Sequence, residues 1–394
     1  MSKIRALLIV LIVSLFSTAS PTVANETNAD VPPELVESIR KAAEAGDAEA
    51  QRKLLVLYAH GAGVPLDKAK AFYWANLSAQ QGNADAMSWL GYAYAAGDGV
   101  AKDQEKAVYW TRRGADLGSA LSRAQLGAWY LSGEGVPVDY AKALELLSAT
   151  ANELPEAKAR LASMYKDGTG VERDDVKAFQ LFEQAANSGW AIAQYELAGM
   201  YADGQGTTSD NQKAASWLIK AAQQGLPEAQ YSAGRAYLFG VGVEQNAPIA
   251  VQWFEQSAAQ GNVEALLSLG ICFRDGDGVA KDGKRAAQLF EQSANAGNAY
   301  AMVLLGHLFL SGNGVSLDQV HAVKLFHQAA EAGASEAYDY LGDAYAIGSG
   351  VPRDLEAALR WYRRAADAGS KHAKDSIEKI LMPRWSGEKI IRKS

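Results

Sequence analysis

Gly276-Asp277-Gly278-Val279-Ala280-Lys281-Asp282 decides how the rest of the chain is read, because a turn of this form occurs nine times. Its glycine pair recurs as Gly61/Gly63, Gly97/Gly99, Gly133/Gly135, Gly168/Gly170, Gly204/Gly206, Gly240/Gly242, Gly276/Gly278, Gly312/Gly314 and Gly348/Gly350. Successive copies stand 36, 36, 35, 36, 36, 36, 36 and 36 residues apart. A fixed period of this size marks stacked structural repeats. A length of 394 residues would otherwise suggest two or three domains, and the period overrides that expectation.

Outward from the turn, each copy predicts two helices. In the copy from Leu226 to Gly261, Ala229, Ala233, Gly234 and Tyr237 form an apolar stripe at helical spacing, and Gly240 and Gly242 break it. The second helix starts at Asn246, carries Ala250, Trp253, Phe254, Ala258 and Ala259, and stops at Gly261. Its start is marked in every copy by Asp67, Asp103, Asp139, Asp174, Asp210, Asn246, Asp282, Asp318 or Asp354. Such side chains accept a bond from an otherwise orphan backbone amide, so these acids read as structural caps. Four residues on stands an alanine, Ala71 through Ala358, and three beyond it a large residue read as the core plug: Trp74, Trp110, Leu146, Leu181, Trp217, Trp253, Leu289, Leu325 and Trp361. The first helix holds a small residue at Gly91, Gly127, Ala162, Ala198, Gly234, Gly270, Gly306 and Gly342, with Leu55 the exception. Glycine weakens a helix, so its recurrence predicts close approach of a second helix.

These features resemble the Sel-one-like repeat family, relatives of the tetratricopeptide repeat, over roughly residues 47–369. The resemblance rests on the alanine, leucine and glycine of the first helix, the Gly-x-Gly-Val turn, the capping Asp, and the second-helix motif seen in Lys106-Ala107-Val108-Tyr109-Trp110. Tetratricopeptide units run about 34 residues, which favours the Sel-one-like assignment. It implies an all-α fold, a right-handed α-solenoid superhelix of about nine helix-turn-helix repeats. Two places depart from the pattern: Asn152-Glu153-Leu154-Pro155 lacks the terminal glycine and one residue, and Thr207-Thr208 replaces the turn valine.

The flanks complete the plan. Lys3 and Arg5, the apolar run Ala6 to Phe16 and the small residues up to Ala24 read as a secretory signal peptide, 1–24. A flexible lead-in follows at 25–33, then an N-terminal capping helix at 34–46, the repeats at 47–369, a C-terminal capping helix at 370–383 and a basic tail at 384–394. The apolar run is too short to span a bilayer, and no transmembrane segment is expected. The reading is therefore an exported protein, in the periplasm or secreted. The formal charge is −7, and loss of the two signal cations, with no acid in 1–24, makes it −9. An acidic chain of this kind is a poor nucleic-acid binder.

Signatures of chemistry are weak. The glycine turns lack the strand context of a phosphate loop, and Asp275-Gly276-Asp277-Gly278-Val279 lacks calcium ligands where they are needed. His321 and His327 lie six apart on one helix and diverge, so no metal site is expected, and no cofactor. Cys272 stands alone in an apolar helix and reads as core. Ser38-Ile39-Arg40-Lys41 and Ser376-Ile377-Glu378-Lys379 match the Ser-x-x-Lys element of penicillin-recognising enzymes without its partner motifs. What the repeat does not dictate is the set Trp89, Trp129, Trp190, Tyr195, Tyr231, Tyr338 and Tyr340, read as first-helix aromatics on the concave face. Trp89 and Trp129 are expected to be exposed; the competing reading packs several of the set between repeats. The expectation is a monomeric, non-enzymatic scaffold or adaptor that binds a protein or peptide. The alternative is a peptidoglycan-associated protein with cell-wall binding or β-lactamase-like activity.

Overall fold

The computed structural model describes residues 31–382. The signal peptide, most of the lead-in and the basic tail read from the sequence lie outside the described residues. Within them the chain forms twenty α-helices and no strand, an α-solenoid of nine helical hairpins.

The helices fall into two compact units, divided inside one helix between Ala233 and Gly234. The first unit contains α1 (Pro33–Glu44), α2 (Ala48–His60), α3 (Lys68–Gln80), α4 (Ala84–Ala96), α5 (Gln104–Asp116) and α6 (Ala120–Ser132). It continues with α7 (Tyr140–Thr150), α8 (Pro155–Asp167), α9 (Asp175–Asn187), α10 (Ala191–Asp203) and α11 (Asn211–Gln223), and takes the start of α12 (Pro227–Phe239). The second unit takes the end of α12, then α13 (Ala247–Ala259), α14 (Val263–Asp275), α15 (Gly283–Asn295), α16 (Ala299–Ser311) and α17 (Gln319–Glu331). It closes with α18 (Glu336–Ile347), α19 (Leu355–Asp367) and α20 (Lys371–Leu381). Even-numbered helices from α2 to α18 open the hairpins and odd-numbered ones from α3 to α19 close them.

Local chemistry sets each hairpin. Gly276 ends α14 in the left-handed region at φ 83°, a conformation that carries almost no cost for glycine. Asp282 then caps α15, its side chain accepting from Arg285 N–H, while its own N–H donates to the Phe273 carbonyl at 2.8 Å. The other eight capping residues bond back to an aromatic of the preceding helix in the same way, from Asp67 to Tyr58 at one end to Asp354 to Tyr345 at the other. Side-chain and backbone bonds together fix the angle at which the second helix leaves the turn. The irregular junction after α7 is of the other kind, from a second helix to the next first helix: α8 starts on Pro155 with Leu154 as an N-cap that makes no side-chain bond, as is also true of Trp190 at α10.

Inside each hairpin the core is sorted by size. A methyl group built on Gly270 would stand 2.6 Å from Phe290 Cε1, and one on Gly306 2.6 Å from Phe326 Cε1, so the first helix must be bare where the second is bulky. The plug assigned from sequence is corrected: Leu289 and Leu325 are buried, but in six of the other seven copies the buried position lies one residue further on. Trp74, Trp110, Trp217, Trp253 and Trp361 are only half-buried. The deepest column is the next one: Ala75, Thr111, Leu147, Phe182, Phe254, Phe290, Phe326 and Tyr362 are buried, with Leu218 half-buried. The physical reason is the helical repeat, since the residue four after each alanine returns to the face that meets the partner helix, whereas the residue three after it leans away. The exception Leu55 now has an account: twenty residues on, where every later copy but the one with Thr111 places an aromatic or a leucine, stands Ala75. Leu55 and Ala75 sit in the same buried cluster, the large residue having moved to the opposite helix.

Candidate functional site

The first helices of the first unit build a groove of about 340 Å³ across α4, α6 and α8. Leu121, Gln125, Ala128 and Ser132 lie on one stripe of α6, spaced as successive turns of a helix require. Trp129 lies beside them, and Tyr92 of α4 and Glu156 and Arg160 of α8 complete the walls, with Glu134 at the turn. Glu156 and Arg160 occupy in their repeat the places that Leu121 and Gln125 occupy in theirs, so one column of positions supplies the lining from two helices. Arg160 donates from Nη2 to Glu156 Oε1 at 2.7 Å. Gln125 Oε1 is buried and has no hydrogen-bond partner among the described residues. An acceptor left in that state destabilises the free protein.

The aromatic set read from the sequence does not form one exposed surface. Trp89 is 1% and Trp129 5% exposed, which corrects the exposure expected of both. Trp89 belongs to the core cluster of Leu54, Leu55 and Leu57, wedged where the next five repeats carry polar side chains. Trp129 packs with Leu126 and Tyr130 and shows the groove only an edge. Its column reads Leu57, Ala93, Met164, Met200, Ala236, Cys272, Leu308 and Ala344, all buried, and that uninterrupted apolar series was a signal available in the sequence. Trp190 is half-buried at the N-cap of α10, ahead of the helix and not on it. Tyr195 and Tyr231 are half-buried in a column whose other members include the buried Ser88, Ala124, Ala159, Leu267 and Val303. Tyr338 stacks on Trp361 with centroids 5.9 Å apart, and Tyr340 on Phe326 at 4.7 Å. The tyrosines that do stand out in the first unit are on second helices, Tyr73 at 56%, Tyr109 at 53% and Tyr140 at 42% exposure. Sequence reading missed Tyr92, Gln125, Glu156 and Arg160, because each is unremarkable alone and gains meaning only from its column.

In the second unit the corresponding face near the C-terminal end is closed by the chain itself. Asp343 of α18 accepts from Tyr362 Oη at 2.6 Å and from His372 Nε2 at 2.9 Å, and Asp339 accepts from Ser370 Oγ at 2.9 Å. The Asp343 bond holds the His372 imidazole above its usual pKa, and burial with the same carboxylate pushes the Tyr362 phenol up. Burial likewise raises the Cys272 thiol to about 11, so it is a protonated core residue at neutral pH.

The described residues contain no group of three or more His, Cys, Asp or Glu placed to hold a metal ion, and none of their helices is long and apolar enough to cross a membrane. In the first Ser-x-x-Lys match, Lys41 Nζ lies 3.9 Å from Glu37.

The Sel1 repeat family model matches nine successive segments, residues 48–83, 84–119, 120–153, 155–190, 191–226, 227–262, 263–298, 299–333 and 335–370. Among solved structures, the chain is 34% identical to c5321, a protective antigen present in uropathogenic Escherichia coli strains and displaying an SLR fold. That match covers 89% of this chain and 76% of the other, with a TM-score of 0.68. A Sel1 repeat protein from Oxalobacter formigenes is 27% identical, covering 62% of this chain and 96% of its own, with a TM-score of 0.55. No curated protein matches the chain.

Proposed function

Because the chain belongs to the Sel1 repeat family, we propose that it is a non-enzymatic scaffold or adaptor that holds another protein on the first-helix face of its repeats. The observation that carries this reading is the groove across α4, α6 and α8, where a buried aromatic, an unpartnered amide oxygen and charged walls converge. Convergence of apolar and oriented polar groups in a concavity is what a binding site requires. The basic, apolar and small-residue order of residues 1–24 supports export, with the periplasm as the working compartment and Asn25 as the mature N-terminus.

The test is affinity capture from a periplasmic extract with the wild type and with Ala128→Arg, which places a long cation in the groove without touching the hairpin core. Retention of a partner by the wild type and its loss in the variant is the expected outcome. Equal capture by both would place the binding surface elsewhere. Co-sedimentation with murein sacculi that is unaffected by Ala128→Arg would favour the cell-wall reading instead.

A further inference from the structure

Three features of the first unit say what kind of segment this face takes. The groove supplies the first: an aromatic edge from Trp129, the side chain of Leu121, and a buried Gln125 Oε1 that lacks a donor.

Gly199 supplies the second. It stands in the middle of α10, in the same place of its repeat as Ala128 and Ser163. Glycine inside a helix is destabilising relative to alanine, and at Gly270 and Gly306 close packing against a phenylalanine accounts for it. No such account holds at Gly199, which is exposed and where an added methyl would meet nothing within 4 Å. A glycine that no neighbour in the chain requires leaves room for a backbone arriving from outside.

Charge supplies the third. The cations next to the groove are already engaged, Arg160 with Glu156 at 2.7 Å and Lys166 with Glu196 at 2.6 Å. Glu134 at the groove mouth, and Asp167 and Asp203 in the places equivalent to groove-lining Ser132, are exposed and hold no salt bridge among the described residues. Glu134 therefore puts negative charge beside the aromatic floor, whereas Asp167 is partly offset by the Arg173 guanidinium.

Resting on the scaffold reading above, we propose that this face binds an extended segment of a partner polypeptide through a lysine or arginine side chain. The aliphatic stem lies along Leu121 and Trp129, the cation meets Glu134 while Glu156 stays with Arg160, and the Gln125 side chain turns outward so that its Oε1 accepts from a backbone N–H of the segment. The segment then runs over Ala128, Ser163 and Gly199, where small side chains let its backbone come close. Complementary charge of this kind sets partner choice and speeds encounter, and it makes binding weaken as salt rises.

The experiment selects a random dodecapeptide library, displayed on phage, against the full chain at low salt. Enriched peptides are then synthesised and their affinities measured for the wild type, Glu134→Lys, Gly199→Leu and Gly199→Ala, with Tyr73→Ala on a second helix as control. Helical circular dichroism and melting temperature establish that each variant is folded. The expected result is a shared Lys or Arg in the enriched peptides, at least about tenfold weaker binding to Glu134→Lys and Gly199→Leu, and unchanged binding to Tyr73→Ala. Gly199→Ala is expected to melt higher than the wild type and yet bind more weakly, a combination that a purely structural glycine does not give. Enriched peptides without a common cation overturn the proposal. So do peptides whose affinity ignores Glu134→Lys and Gly199→Leu, in which case the scaffold reading survives on another surface. Failure to enrich any peptide also overturns it, and the scaffold reading then stands or falls on the capture experiment.

Discussion

Two glycines in equivalent-looking helical settings have opposite roles. Gly270 lies under Phe290, so Gly270→Ala forces a 2.6 Å contact and is expected to cost about 1–3 kcal/mol in a urea titration. Gly199 meets nothing, so Gly199→Ala is expected to stabilise the free protein by about 0.4–1 kcal/mol by the same measurement. Equal destabilisation by both would show that Gly199 has a packing role after all. Single residues were also where sequence reading was weakest. Trp129 looked exposed beside Ala128, but its column is apolar in every repeat and the structure buries it. Trp89 gave no such warning, since its equivalents Gln125, Arg160 and Glu196 are polar. Its burial comes from the leucine-rich first hairpin around it, a tertiary effect that local pattern does not carry.

At the level of elements the sequence was far more readable, because each helix is bounded by groups with a stated physical role. Asp and Asn side chains accept from orphan amides at the starts of second helices, and left-handed glycines end the first helices. Which second-helix residue enters the core was not readable by eye, since positions three and four beyond the alanine are both large in most copies. The pairing of Leu55 with Ala75 gives a direct test. Leu55→Gly alone opens a cavity and Ala75→Phe alone overpacks the hairpin, so both should destabilise. The double substitution, which recreates the pair found as Gly270 and Phe290, should recover part of the loss, with a coupling of about 0.5–3 kcal/mol in a double-mutant cycle. Strict additivity would refute the size-sorting account. The terminal helix α20 carries a different prediction. His372 has a raised folded-state pKa from its bond to Asp343, so its contribution is present in full below the ordinary histidine pKa. It is lost as pH rises through the raised value. Hydrogen-exchange protection of α20 should therefore fall as pH rises from the ordinary histidine range through the raised value, and His372→Gln should flatten that dependence.

Across the whole chain, each hairpin owes its shape to its own turn, cap and size-matched pair, and each unit is assembled from such hairpins. Neighbour-only contacts make the repeats interchangeable parts. Removing residues 263–298 joins Asn262 to Ala299, replacing the α16 cap Asn298 by the α14 cap Asn262, which makes the same bond. The shortened chain should fold with helical circular dichroism reduced only in proportion to its length, whereas a loss of cooperative melting would mean that the repeats are not modular. The proposed binding site lies on the first-helix face of the first unit, around Ala128. The most direct measurement of that claim is site-specific photo-crosslinking in cells, with p-benzoylphenylalanine placed at Ala128 on the first-helix face or at Tyr73 on a second helix. The account predicts a discrete crosslinked partner from Ala128 and none from Tyr73. Crosslinks from Tyr73 with none from Ala128 would contradict it.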